Sequence, residues 1–413
     1  MRARRLAARW LIPVVGSPFE YGALLIGADG RIHAVGSNKD VPRPSDVPTE
    51  DYGDAVIVPG LINTHTHLEL TGFEDQVREP NFSAWILRLR ELKTTRGPGE
   101  YLDAARRGLA ACFGAGVTTI GDTGDSGSVI QALAERDGSG VAYQEVFGPH
   151  PAQLEESLAG LRSRVTGLSR WATGRVRIGV SPHAPYTVSG QLLAAVAEWS
   201  EVERLPLAVH LAESPAEVDF LAHGSGPFAE AWQGRGIPLP ELAGGTPIEW
   251  LAQGGGLTER TLCIHAVQVT PGDIDRLTAS GAAVAHCPLS NKAHGHGAAP
   301  LAALLAAGVR VGLGTDSVVS VGSLDLLAEA RAARGLARLG ADELLELCTL
   351  GGARALGIDT ETGSLQVGKW GDCAVIRTPA AGKGQSPAEQ VLASAPGDVL
   401  LTCVGGREVY RAL

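Results

Sequence analysis

His65 and His67, in the stretch GLINTHTHLEL (60–70), stand two residues apart at the end of an apolar run. In a β-strand residues i and i+2 share a face, so two imidazoles at this spacing can grip one metal ion. Alone, the pair reads equally well as two strand-end histidines. The same residue types recur where later apolar runs end: His183 in SPHAPYT, His210 and Glu213 in AVHLAES, His265 in CIHA and Asp316 in GLGTDS. Imidazoles with a carboxylate suit Zn²⁺ or Fe²⁺ better than Mg²⁺ or Ca²⁺, which prefer oxygen shells. The expected ligands of one divalent ion, Zn²⁺ first and Fe²⁺ second, are His65, His67, His210 and Asp316. An ion held there lowers the pKa of a water from about 15.7 towards about 7, supplying hydroxide at neutral pH. Glu213 follows His210 by three residues and cannot share its strand face. It is expected to reach over the site and carry a proton to the substrate and then to the leaving group, while His265 polarises or hydrogen-bonds the reacting centre.

Such a set converges only if something brings the ends of several strands to one place. From residue 59 onward, apolar strands alternate with Ala/Leu-rich stretches of helical period. Strands are expected near 61–66, 117–122, 141–147, 176–181, 207–211, 261–264, 283–285 and 310–314. About eight such units in a row predict a (β/α)₈ TIM barrel, whose strand C-termini meet on one face. A doubly wound sheet also alternates, but it carries a Gly-rich loop after its first strand, where this chain has histidines. Residues 1–57 read as short strands with an Asp29-Gly30 hairpin turn, and 357–413 return to short strands with Gly turns. The expected division is therefore a small β-sandwich from both termini (1–57 and 357–413) beside a barrel of 58–356. The Gly/Pro-rich piece 224–256 is expected to be a long rim excursion of a length suited to a lid.

Composition narrows the partners. A formal net charge of −10 argues against nucleic acid and anionic membranes, leaving a small-molecule substrate as the expectation. The six cysteines are scattered through apolar segments with no CxxC pair, which fits reduced thiols and a cytoplasmic location. The basic-then-apolar start reads as a first strand, because its apolar part is short and is broken by Pro13. No window approaches the roughly 20 apolar residues of a membrane span. Assembly is left open, a homodimer included.

Taken together, VPGLINTHTH, SPHAPYT, HLAES, CIHA, HCPLSN, GLGTDS and GSLQVGKWGDCAVI resemble the amidohydrolase superfamily, in its branch of cytosine/adenine-type and chlorohydrolase-like deaminases. The resemblance spans most of the chain. It implies a metal-bearing barrel with a β-sandwich built from both termini, and metal binding by His65, His67, His210 and Asp316. It also implies proton shuttling by Glu213, substrate contact or activation by His183 and His265, and a second role for Asp316, taking a proton from the attacking water. Binuclear members carry a bridging lysine at the end of strand four, and RVRIGVSPHAPYT has none, which favours deamination at an amine-bearing ring carbon. HTHLEL further resembles aminodeoxyfutalosine deaminases of menaquinone biosynthesis, which act on an adenine nucleoside whose sugar bears a benzoate. Under that likeness Glu69 reaches the ribose or base, and an arginine among Arg78, Arg88 and Arg90, Arg88 first, meets the carboxylate. Taken singly, each arginine reads first as part of a solvated helix face, and Trp85 as core. The alternatives left open are deaminases of S-adenosylhomocysteine, methylthioadenosine or guanine, and hydrolases of an amide, imidazolone or chloro-ring; a catalytically silent scaffold is disfavoured, because every expected ligand and Glu213 are present together. One departure is KAHGHGAAP after HCPLSN, where His294 and His296 are expected to lie in a mobile Gly/His loop.

Overall fold

The computed structural model describes residues 2–79, 81–240, 245–378 and 385–412. Both ends of the chain build one sheet. Its strands are β1 (Arg4–Leu11), β2 (Phe19–Ile26), β3 (Ile32–Ser37), β4 (Thr49–Asp51) and β5 (Ala55–Pro59). Between β2 and β3 the chain reverses at Asp29-Gly30, where Gly30 takes a positive φ, and the two strands pair antiparallel.

The barrel strands follow: β6 (Leu61–Thr66), β7 (Val117–Gly124), β8 (Ser139–Val146), β9 (Val176–Pro182), β10 (Leu207–Leu211), β11 (Thr261–His265), β12 (Ala283–His286) and β13 (Arg310–Leu313). They lie in sequential order and pair parallel. The first strand meets the last: Thr64 Oγ1 donates to Leu313 O at 2.8 Å, the Asn63 amide exchanges hydrogen bonds with Thr315, and Thr66 bridges Asp316. This closes a (β/α)₈ barrel. Strands buried on both faces read as near-continuous apolar runs, and every residue of β7, β8, β10, β11 and β12 is buried. Ile62, Val141, Tyr143, Leu262 and Ile264 fill the interior, and Ala353, Leu356 and Ile358 plug its floor, so ligands have access only from the strand C-termini.

The tail adds β14 (Cys373–Arg377), β15 (Val399–Val404) and β16 (Arg407–Arg411), completing the sheet order β16-β15-β14-β5-β1-β2-β3, with β4 beside β1. Asp372 ties this unit to the barrel through Arg175, and within the tail it accepts the Thr362 hydroxyl (2.7 Å) and the Gly405 N–H (2.6 Å). No helix among the described residues is long and apolar enough to cross a membrane.

The rim excursion is more structured than its Gly/Pro content suggests. Helices Gly226–Gly234 and Pro247–Gln253 fall within it, and residues 241–244 lie outside the described residues. Phe228 stacks on Tyr186 at 4.0 Å, and Trp232 Nε1 donates to Tyr186 O at 2.8 Å. The excursion thus buttresses the SPHAPYT loop.

Candidate metal centre and its surroundings

The C-terminal ends of β6, β10, β11 and the loop after β13 bring His65, His67, His210, His265 and Asp316 together. Asp316 Oδ1 lies 3.3 Å from His65 Nε2 and 3.4 Å from His67 Nε2. His67 Nε2 lies 3.3 Å from His210 Nε2. The donor atoms of His65, His67 and Asp316 fall within 4.8 Å of one another, as do those of His65, His210 and His265. Left-handed backbone at Ala212, His265, Ala266 and Asp316, unusual for residues with a Cβ, turns the chain sharply at these strand ends.

Tautomers follow from the outer nitrogens. His67 Nδ1 faces Thr123 O at 2.9 Å and His210 Nδ1 faces His183 O at 3.2 Å. A carbonyl only accepts, so both Nδ1 atoms carry the proton and both Nε2 atoms are bare. Two bare lone pairs at this separation, beside a carboxylate, repel unless a cation is shared between them. His65 is buried and neither of its nitrogens has a hydrogen-bond partner among the described residues. These donors fit a divalent metal of the zinc or iron kind.

Electrostatics agrees. Burial pushes His67 and His183 down to about 3, and His210 and His265 well below the ordinary imidazole value, so all four are neutral at pH 7 as ligation or hydrogen bonding requires. Burial alone would raise the Asp316 carboxyl, but the imidazoles of His65, His67 and His265 hold it well below the usual range. Ser290 Oγ donates to its Oδ2 at 2.6 Å, fixing the other oxygen toward the histidines.

Glu213 lies over this cluster. Its Oε1 is 3.5 Å from His265 Nε2, and Tyr186 Oη is 3.5 Å from its Oε2. His265 is held from behind by Asn291 Oδ1 at 3.0 Å. Burial first, then the charges of Asp316 and Glu217, raise Glu213 well above the ordinary carboxylate value, so it can hold a proton near neutrality. Glu217 in turn accepts the backbone N–H groups of Ala212 (2.7 Å) and Glu213 (2.9 Å), fixing the turn that presents Glu213.

His183 adjoins His210 at 4.7 Å between ring centroids, its Nδ1 paired with Thr187 Oγ1 at 2.9 Å. Its Nε2 is 3.9 Å from Glu145, which burial pushes up to about 8 against the pull of Lys93.

Two expected substrate contacts are placed otherwise. Glu69 is buried and already engaged: Lys93 Nζ is 3.2 Å away, and Ser126 donates to it through both N–H and hydroxyl. Arg88 lies on the exposed face of helix Phe82–Lys93, paired with Glu91 at 3.1 Å, and is not brought to the cluster. The loop read as mobile is also different, because His296 is buried with Nδ1 3.4 Å from Glu213 Oε1. Sequence reasoning assigned no role to Tyr186, Ser290, Asn291, Glu217 or Lys93. The first three lie in SPHAPYT and HCPLSN, a signal that was present, whereas Lys93 and Glu217 sit on helices as ordinary charged residues.

Comparison with known proteins follows the same lines. An aminodeoxyfutalosine deaminase of Deinococcus radiodurans is 34% identical over 354 residues, covering 81% of this chain and 81% of that protein. A 5-methylthioadenosine/S-adenosylhomocysteine deaminase of Moorella thermoacetica is 30% identical over 379 residues, covering 89% and 83%. In fold the chain is similar to a zinc-bound adenosine deaminase from Xanthomonas campestris, with TM-score 0.86, 24% identity and coverage of 98% and 92%. The sequence profile of the amidohydrolase family matches residues 56–409, and the chain belongs to that family.

Proposed function

We propose that this protein is a metal-dependent hydrolytic deaminase of adenine-type nucleosides, with an aminodeoxyfutalosine-like compound as the first candidate substrate. One observation carries the reading: a buried His/Asp cluster with two bare imidazole nitrogens 3.3 Å apart, overhung by a carboxyl group held in its protonated range. The curated relatives, named as deaminases of aminodeoxyfutalosine and of methylthioadenosine/S-adenosylhomocysteine, support the substrate class. His65, His67, His210 and Asp316 are assigned to the metal, zinc first. When bound, the ion would acidify a water and so supply hydroxide near neutral pH.

The remaining work falls to side chains. Glu213 gives its proton to the ring nitrogen beside the amine-bearing carbon and then passes one to the departing amine. Asp316 takes a proton from the attacking water. His265, whose Nδ1–H is held by Asn291 Oδ1, presents a bare Nε2 that accepts a hydrogen bond from the water that adds to the ring. Water adds at the carbon, ammonia leaves, and the adenine becomes a hypoxanthine.

The test is ammonia release by zinc-loaded protein against adenosine, methylthioadenosine, S-adenosylhomocysteine, guanine and aminodeoxyfutalosine. Preference for the last supports the finer assignment, and preference for another adenine nucleoside keeps the chemistry but moves the substrate. Silence across the panel with metal bound overturns the deaminase reading.

A further inference from the structure

Glu213 is held at two levels. Glu217 fixes its backbone, but its carboxyl has one hydrogen-bond partner among the described residues, the phenol of Tyr186, whose Oη lies 3.5 Å from Oε2. The other oxygen, Oε1, lies 3.5 Å from His265 Nε2 and 3.4 Å from His296 Nδ1. His296 is turned inward between Gly295 and Gly297, at φ +69° and +100°, and Phe82 of helix Phe82–Lys93 meets it edge-on at 4.5 Å. The two carboxyl oxygens therefore have different neighbours: Oε1 faces the histidines of the site, and Oε2 faces Tyr186.

Tyr186 is itself clamped. Phe228 lies flat on its ring, with centroids 4.0 Å and planes 4° apart, and His183 stands edge-on at 6.2 Å. Trp232 Nε1 donates to the Tyr186 carbonyl at 2.8 Å, and Phe220 stands edge-on to Phe228 and Trp232, at 6.5 and 4.9 Å. Phe228 and Trp232 belong to helix Gly226–Gly234 of the rim excursion, whereas Phe220 belongs to helix Pro215–His223, which also carries Glu217. One apolar cluster thus braces both the turn under Glu213 and the phenol beside it. A buried phenol needs a partner, and Glu213 Oε2 is the acceptor within its reach among the described residues. Burial first, then the charges of Glu213 and Glu217, raise the phenol well above its ordinary value, so it keeps its proton and donates.

We infer that Tyr186 is a positioning residue for the proton transfer: by donating to Glu213 Oε2 it leaves the transferable proton on Oε1, and the rim excursion acts on the chemistry by holding this phenol. This rests on the deaminase reading above, in which Glu213 is the proton donor. A neutral carboxyl has one O–H and one carbonyl-like oxygen, and a hydroxyl donor pairs with the latter. Tyr186 thereby selects the oxygen that carries the proton. When Oε1 gives that proton to the ring nitrogen, Glu213 becomes a carboxylate and Tyr186 keeps its own proton. The bond to Oε2 is then charge-assisted, shorter and about twice as strong, so it stabilises the state after transfer more than the state before it. The 3.5 Å separation leaves room for that shortening.

The experiment measures kcat, KM and zinc content for Tyr186→Phe, Phe228→Leu and Glu213→Gln, and for Tyr186→Phe combined with each of the other two. The substrate is the adenine nucleoside that the wild type turns over best. Tyr186→Phe keeps the ring, its stack and its carbonyl and removes only the hydroxyl. It is expected to lose about tenfold to a hundredfold in kcat, as loss of one hydrogen bond to a charged group implies, with KM and zinc content near wild type. In the Glu213→Gln background, where no acid proton is left to place, the same change is expected to cost nothing further, which a merely structural role would not give. Phe228→Leu is expected to lose a smaller factor in kcat, and that loss to vanish once Tyr186 is Phe. Wild-type kcat in Tyr186→Phe, or an equal fall with and without Glu213, overturns the inference. A Phe228→Leu loss that persists in the Tyr186→Phe background overturns the part given to the rim. In each case ammonia release by the wild type leaves the deaminase reading standing, whereas a zinc-loaded wild type that deaminates no nucleoside overturns both.

Discussion

In the proposed mechanism Glu213 and Ser290 separate two tasks, proton transfer and metal holding. Glu213 contacts His265, His296 and Tyr186 and lies within contact of none of the proposed ligands' bare nitrogens. Glu213→Gln is therefore expected to keep its zinc and lose about a hundredfold to ten-thousandfold in kcat, the usual span for a general acid–base group. Metal analysis alongside steady-state kinetics checks this, and unimpaired turnover would remove Glu213 from the chemistry. Ser290 Oγ donates to the far oxygen of Asp316, at 2.6 Å. Ser290→Ala is expected to weaken zinc binding by about tenfold or more, as loss of a hydrogen bond behind a metal ligand usually does. Competition against a chelating dye reads this directly, and unchanged affinity would mean that Asp316 is oriented by its backbone alone.

At the scale of elements, helix Phe82–Lys93 roofs the site and is pinned at both ends. Asn81 caps it by accepting from Ser83 N–H at 2.9 Å, and Lys93 in its last turn reaches Glu69 (3.2 Å) and Asp125 (2.6 Å). Removing the cation would strand a buried Glu69 carboxylate. Lys93→Met is expected to cost about 3 kcal/mol, visible in urea denaturation, and Lys93→Met/Glu69→Leu to recover much of it. A single variant as stable as wild type would mean that Glu69 is not charged in the fold.

This helix also marks where sequence reading stopped. The eight barrel strands were legible because strands buried on both faces leave long apolar runs, and the histidines that end them announced the site. Leu61–Thr66 and Leu207–Leu211 came out with the boundaries expected. Arg88, Lys93 and His296 were not legible, since their parts depend on how a helix and a loop lean over the barrel mouth. Arg88 and Lys93 lie five residues apart on one helix, yet only Lys93 turns toward the buried acids. The Gly-His-Gly spacing suggested mobility, whereas the two glycines fix His296 inward.

Across the whole molecule, the terminal sheet and the barrel are joined by Asp372, buried between Arg175, Thr362 and Gly405. This junction lies at the strand N-terminal side, away from the chemistry. Asp372→Ala is expected to destabilise the protein by about 3–5 kcal/mol while kcat per bound metal stays near wild type. A thermal scan and kinetics on the same sample check both halves. A large fall in kcat with intact metal content would show that the two units communicate.

The central claim is that the His/Asp cluster needs a divalent ion to release ammonia from an adenine nucleoside. The most direct measurement is ammonia release before chelation, after complete metal removal and after zinc is restored, with metal content determined at each stage. Activity that disappears with the metal and returns in proportion to restored zinc is the predicted result. Full activity in verified metal-free protein, or none in verified zinc-loaded protein, would contradict the account.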